Sequence, residues 1–221
     1  MMNGINDFAA ALRDFLTFQG ELGLIGLDVS ADLTQPTELA AISKEIENCT
    51  KCKLFQHRTH IVFGTGNPKS RLLFLGEGPG RDEDLQGEPF VGAAGQLLNR
   101  MIFAMGLKRS EVYIANIVKC RPPNNRDPEP DEIAACLGFL QAQIRAIQPE
   151  TIILLGRVAA QTILGESTPI SRLRGIWREY QGVSVMPTFH PAYLLRNPTD
   201  KRLAWHDLQL VMKRLNLGLP G

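Results

Sequence analysis

Four short apolar runs punctuate this chain: RLLFLG (71–76), VYIANIV (112–118), TIILLG (151–156) and VSVMPTF (183–189). Between them lie stretches of helical character: AAGQLLNRMIFAMGL (93–107), PDEIAACLGFLQAQIRAI (130–147) and RVAAQTILG (157–165). A strand with one wet face alternates apolar and polar residues, whereas near-continuous apolar runs of this length belong to strands covered on both faces. Alternation of such strands with helices requires parallel pairing through helical crossovers. The pattern predicts an α/β fold, a three-layer α/β/α sandwich around a central four-stranded parallel sheet. A last helix is predicted in KRLAWHDLQLVMKRLNLG, with Leu208, Val211, Met212 and Leu215 on one face.

Upstream, Phe8, Leu12, Phe15 and Leu16 recur at helical spacing before Gly20, Gly23 and Gly26 break the pattern. Residues 1–36 are therefore expected to be an N-terminal helical extension and linker, and residues 37–221 the catalytic domain, opening on a helix over 37–48. No run approaches the roughly 20 apolar residues of a membrane span, and the N-terminus lacks a basic stretch followed by an apolar one. A cytoplasmic, monomeric protein with no membrane partner is expected. The formal net charge is +1, but residues 1–50 sum to −6 and the remainder to +7. A basic body behind an acidic N-terminal stretch suits a polyanionic partner, as scattered surface charge also would.

In open α/β sheets, chemistry gathers beyond the carboxyl ends of the strands. Those ends read GEGPG, NIVKC and FHPAYLL, and the three segments should converge on one cleft. The first continues as GEGPGRDEDLQGEPFVGAAG, a glycine turn that looks like a phosphate cradle yet carries Glu77, Asp82, Glu83, Asp84 and Glu88. Five carboxylates oppose an anion at a helix N-terminus, so the ligand is something else.

The four cysteines fall as Cys49-x2-Cys52, then Cys120, then Cys136. In a cytoplasmic protein this set fits a tetrathiolate metal site better than disulfides. Zinc and an iron–sulfur cluster suit it equally on spacing.

Taken as a set, GEGPGRDEDLQGEPFVGAAGQLL, YIANIVKCRPP, the four cysteines and FHPAYLL resemble the family 4 uracil-DNA glycosylases, the iron–sulfur members of that superfamily, over residues 39–215. The resemblance implies a [4Fe–4S] cluster on Cys49, Cys52, Cys120 and Cys136, with zinc as the alternative. It also implies hydrolysis of the N-glycosidic bond of deoxyuridine in single- or double-stranded DNA, by water attack on an oxocarbenium-like sugar. A flipped-out neutral base then answers the puzzle of the glycine turn: extrusion costs a few kcal/mol, and the sugar becomes cationic, so carboxylates are welcome nearby.

Within that resemblance, Gly76 and Gly78, with Gly80, would let the backbone approach the base, Phe90 would stack on it, and Asn116 would pair with uracil N3–H and O4. His190 would donate to uracil O2. Glu77 is the first candidate to orient water, with Glu83 and Asp84 behind it. Leu194 or Leu195 would fill the vacated stack, and Arg196, Arg172 and Arg174 would meet phosphates. The segment after the second strand, KCRPPNNRDPEPDE, lacks the histidine of a covalently trapped subfamily, so turnover is expected. Two rival functions remain: a glycosylase for another deaminated or mismatched base, and a non-catalytic metal-stabilised DNA-binding module.

Overall fold

The structure is a computed structural model, described here for residues 38–218; the helix expected over 6–18 lies outside the described residues. Six strands form one sheet in the order β1-β3-β2-β4-β6-β5. These are β1 (Thr65–Gly66), β2 (Leu72–Gly76), β3 (Tyr113–Asn116), β4 (Thr151–Leu155), β5 (Arg178–Tyr180) and β6 (Val183–Thr188). The four expected strands are the inner ones, and all pair in parallel. The sequence pattern missed β1 and β5, which add antiparallel to the two edges and make the sheet mixed. Two or three residues with little buried apolar surface leave no periodic signal.

Helices cover both faces: α1 (Glu38–Ile46), α2 (Arg81–Gln86), α3 (Ala93–Ala104), α4 (Pro130–Ile147), α5 (Arg157–Leu164), α6 (Ile170–Leu173), α7 (Pro191–Arg196) and α8 (Lys201–Arg214). Strand pleating explains the split core. Leu72 and Phe74 join α3 and α8 in one apolar cluster, whereas Leu73 and Leu75 join α4 and α5 in the other. Every residue of β2 is buried, as double coverage requires. Because the inner strands are parallel, Gly76, Asn116, Leu155 and Thr188 all end at one edge of the sheet, and Gly76 stands directly beside Asn116 in register. That edge is where the expected segments converge.

Candidate active site

A cavity of about 430 Å³ opens at this edge, lined among others by Glu77, Gly78, Phe90, Asn116, His190 and Arg196. Its size suits one small ligand. Asn116 is 2% exposed, and its Oδ1 is a buried oxygen with no hydrogen-bond partner. Buried polar atoms are almost always satisfied, so an orphan at a cavity wall marks a place for a ligand donor.

Phe90 sits at φ 54°, a left-handed conformation that an aromatic residue adopts only when its surroundings impose it. The imposition is visible. Arg109 Nη2 donates to the carbonyl of Pro89 at 2.6 Å, and its Nη1 reaches the Phe90 carbonyl at 3.4 Å. The Phe90 ring lies 5.6 Å from the His190 ring, centroid to centroid.

His190 caps α7, its Nδ1 accepting the Ala192 N–H at 3.1 Å. Burial, with a smaller push from Arg196, lowers its pKa to about 4. A neutral ring that accepts at Nδ1 carries its proton on Nε2, so His190 is a fixed N–H donor at neutral pH.

Glu77 follows β2 directly. Burial pushes its pKa up to about 7, the nearby Asp127 carboxylate adds to the shift, and Arg157 opposes it. Asp127 is itself ion-paired with Arg157. Neither was singled out in the sequence, where both look like surface charges.

The glycines at 76, 78 and 80 make room, but for the protein itself. A Cβ on Gly76 would come within 2.4 Å of Asn116 Oδ1 and 2.6 Å of Phe90 Cζ. On Gly78 it would meet Val118 Cγ2 at 2.8 Å, and on Gly80 the Glu83 carboxylate at 2.7 Å. Gly78 and Gly80 line the cavity; Gly76 acts from behind, by letting Asn116 and Phe90 close up.

Residues 63–209 match the family described as the Uracil DNA glycosylase superfamily. The chain is 50% identical over 165 residues to the type-4 uracil-DNA glycosylase of Archaeoglobus fulgidus, covering 71% of this chain and 83% of that one. It is 46% identical to that of Sulfurisphaera tokodaii over 78% and 83% of the two chains, and 44% identical to that of Thermotoga maritima over 80% and 94%. The chain belongs to the type-4 uracil-DNA glycosylases.

Three residues named from the family pattern sit differently in this type-4 chain. Glu83 Oε1 accepts from the N–H groups of Val91 and Gly92 at 3.0 and 3.1 Å, and Oε2 from that of Gly80 at 3.1 Å. Both oxygens are committed, which makes Glu83 a strut of the cavity wall and not a free base. Its neighbour Asp84 is buried and holds Thr59 through the backbone N–H and the hydroxyl. Leu194 is 1% exposed and belongs to the core, so it cannot be the wedge; Leu195, one position on in α7, is 39% exposed.

Arg174 is also no phosphate contact. Its guanidinium is ion-paired with the fully buried Asp207 and donates to the Leu203 carbonyl at 2.7 Å. Arg172 is exposed away from the cavity, and Arg196 is exposed at its rim.

The four cysteines line one small cavity between the end of α1, the loop after β3 and α4, together with Arg58 and Lys119. Arg58 Nη1 donates to Cys120 Sγ at 3.3 Å and to the Cys49 carbonyl at 2.7 Å. Burial pushes the Cys120 thiol up to about 11 against the pull of Arg58. Among the described residues no three histidine, cysteine or carboxylate groups are close enough to grip a single ion. The donor set around this cavity is four thiols beside two cations. Among the described residues no helix is long and apolar enough to cross a membrane.

Proposed function

We propose that this protein excises uracil from DNA and leaves an abasic site, with the base held between Phe90, Asn116 and His190. The observation that carries the reading is that Asn116, whose buried Oδ1 has no hydrogen-bond partner, lines the same cavity as a neutral His190. Uracil supplies an N3–H where Oδ1 lacks a donor, whereas cytosine presents an acceptor there. A buried acceptor facing an acceptor is strongly rejected, so base choice follows from one side chain held in place. Stacking on Phe90 adds about 1–3 kcal/mol by analogy with single-strand binders.

As the glycosidic bond breaks, negative charge develops on the base, and His190 Nε2–H is placed to meet it at O2. Positive charge develops at the sugar, and the Glu77 carboxylate offsets it and orients water. Arg196 meets a phosphate and Leu195 fills the vacated stack. The four cysteines fit a [4Fe–4S] cluster better than a zinc ion, since a cluster spreads its thiolates over separate irons. When bound, it would act as a thiolate crosslink that ties α1 to α4 and to the loop after β3, the strand that ends at Asn116. The products are free uracil and an intact sugar–phosphate chain, with turnover and no covalent adduct.

The test is release of free uracil from an oligonucleotide containing one deoxyuridine, followed over pH. Glu77 is protonated below its pKa of about 7, so kcat/KM should fall about tenfold per unit below pH 7 and level off above it. Glu77→Gln should be slow and lack that limb. Release of hypoxanthine but not uracil would favour the rival substrate, and binding without release would leave a DNA-binding module.

The two leucines of α7 give a paired prediction. Leu194→Ala should lower stability by about 2–5 kcal/mol, as core truncations do. Leu195→Ala should change stability by less than about 0.5 kcal/mol yet weaken excision from duplex more than from single-stranded DNA. Equal effects of the two on melting would contradict the assignment.

A further inference from the structure

Lys119 is among the largest fully buried side chains of the protein, with 0% exposure. Its Nζ donates to the backbone carbonyl of Asn116 at 2.8 Å. An ammonium has three donors, and among the described residues this is the hydrogen bond it makes. Among the described residues no carboxylate is ion-paired with it, and the ionisable group beside it is the Cys136 thiol. The Lys119 backbone N–H also points at the Cys136 sulfur, and the residue lines the cysteine cavity. A buried cation without a counter-charge is strongly disfavoured, so something negative belongs beside it.

We propose that Lys119 is the buried counter-cation of the cysteine-bound cluster and, through the same Nζ, the positioning residue that fixes Asn116 for uracil. The inference rests on the cluster and base-pocket reading above. Four thiolates and a cluster supply the missing negative charge within a few bonds of Cys120 and beside Cys136. The ammonium then has one side toward the metal cavity and one toward the residue that reads the base. The carbonyl it holds terminates β3, next to Gly76, where there is no spare room for Asn116 to shift. Occupancy of the cysteine cavity and the accuracy of base recognition are therefore coupled through one side chain.

Lys119→Met keeps the length and apolar stem of the side chain, removes the charge and removes the donor. Replacing a buried charge by an apolar residue of like volume is often tolerated, and iron and sulfide content with a thermal melt would verify a loaded, folded variant. Loss of a nearby positive charge disfavours the more negative, reduced cluster. The reduction potential should move negative by about one tenfold step in the reduced-to-oxidised ratio, about 59 mV for one electron. The KM for uracil DNA should rise roughly three- to tenfold, the worth of one hydrogen bond, with kcat little changed. Lys119→Gln, which keeps an N–H donor without charge, should recover KM and retain the shifted potential; it also replaces the methionine variant if that one does not fold. An iron-loaded Lys119→Met with wild-type potential or wild-type KM overturns the inference and leaves the cluster standing. A wild-type protein free of iron and sulfide would instead remove the cluster reading, and the counter-cation with it.

Discussion

Arg174→Ala should lower stability by about 3–5 kcal/mol while leaving the folded protein's affinity for DNA unchanged. The guanidinium is bonded to both oxygens of Asp207, which has 0% exposure and also accepts the Thr188 hydroxyl at 2.7 Å. Removing one partner of a buried pair strands the other charge, and that stranded charge sets the cost. Against the 5–15 kcal/mol of a typical domain, the loss is a large fraction of the whole. Burial already raises the Asp207 pKa despite Arg174 and Thr188, and without Arg174 it rises further. A carboxyl whose folded pKa lies above its unfolded value favours folding below that range and opposes it above. The deficit of the variant should therefore shrink as pH falls from 8 towards 4. Urea midpoints at the two pH values check this, and a deficit that is flat with pH would contradict it. Salt dependence of DNA binding separates the two arginine roles: Arg196→Ala should reduce the slope by about one phosphate contact, and Arg174→Ala should not. If Arg174→Ala alters the slope and spares the midpoint, the strut is in truth a phosphate contact.

The same pair shows where a sequence stops being legible. Arg174 reads as a surface cation because its partner lies 33 positions away, in a helix whose register against β6 only the folded chain reveals. The inner strands were plain because double coverage demands unbroken apolar runs, and α4 was plain from Pro130 with Asp131 and Glu132 behind it, a helix start written in local chemistry and found at the expected bounds, Pro130–Ile147. Edge strands of two and three residues carry no such signature.

Within the site, Glu77, Asn116 and His190 could be named because each interrupts an apolar run or ends one, and the sheet brings all three to a single cavity. Glu83 could also have been read locally: a carboxylate three residues after Gly80, at the start of a helix, is the glutamate half of a capping box, and its Oε2 accepts the Gly80 N–H at the start of α2. Leu194 and Leu195 are chemically identical neighbours, and in a six-residue helix only the direction of α7 decides which one enters the core. The expectation for the glycines meets the same limit, since Gly78 and Gly80 line the cavity whereas Gly76 makes room for Asn116 and Phe90. Sequence shows that a Cβ is missing, but not whether a ligand or a neighbouring side chain takes its place.

His190→Ala should lower kcat for uracil release by about 10²–10³-fold and leave KM within a small factor. The split follows from when the hydrogen bond matters. Uracil O2 is a neutral carbonyl in the bound substrate and gains negative charge only as the bond to the sugar stretches, so a fixed donor contributes most at the transition state. The donor must already hold its proton on Nε2. With a pKa of about 4, only about one ring in a thousand is an imidazolium at pH 7, and the Ala192 N–H occupies Nδ1 and fixes the tautomer. A protonated histidine would hold the developing anion more strongly, but it would be too rare to account for the rate at neutral pH. The pH profile discriminates. With a neutral donor, activity between pH 5 and 9 follows the Glu77 limb alone, and His190→Ala lowers the whole curve without changing its shape. With an imidazolium, activity would fall as pH rises through the histidine pKa, and that falling limb would vanish in the variant. A curve of unchanged shape together with a kcat loss of the stated size would establish His190 as a neutral donor; a KM effect without a kcat effect would make it a binding contact.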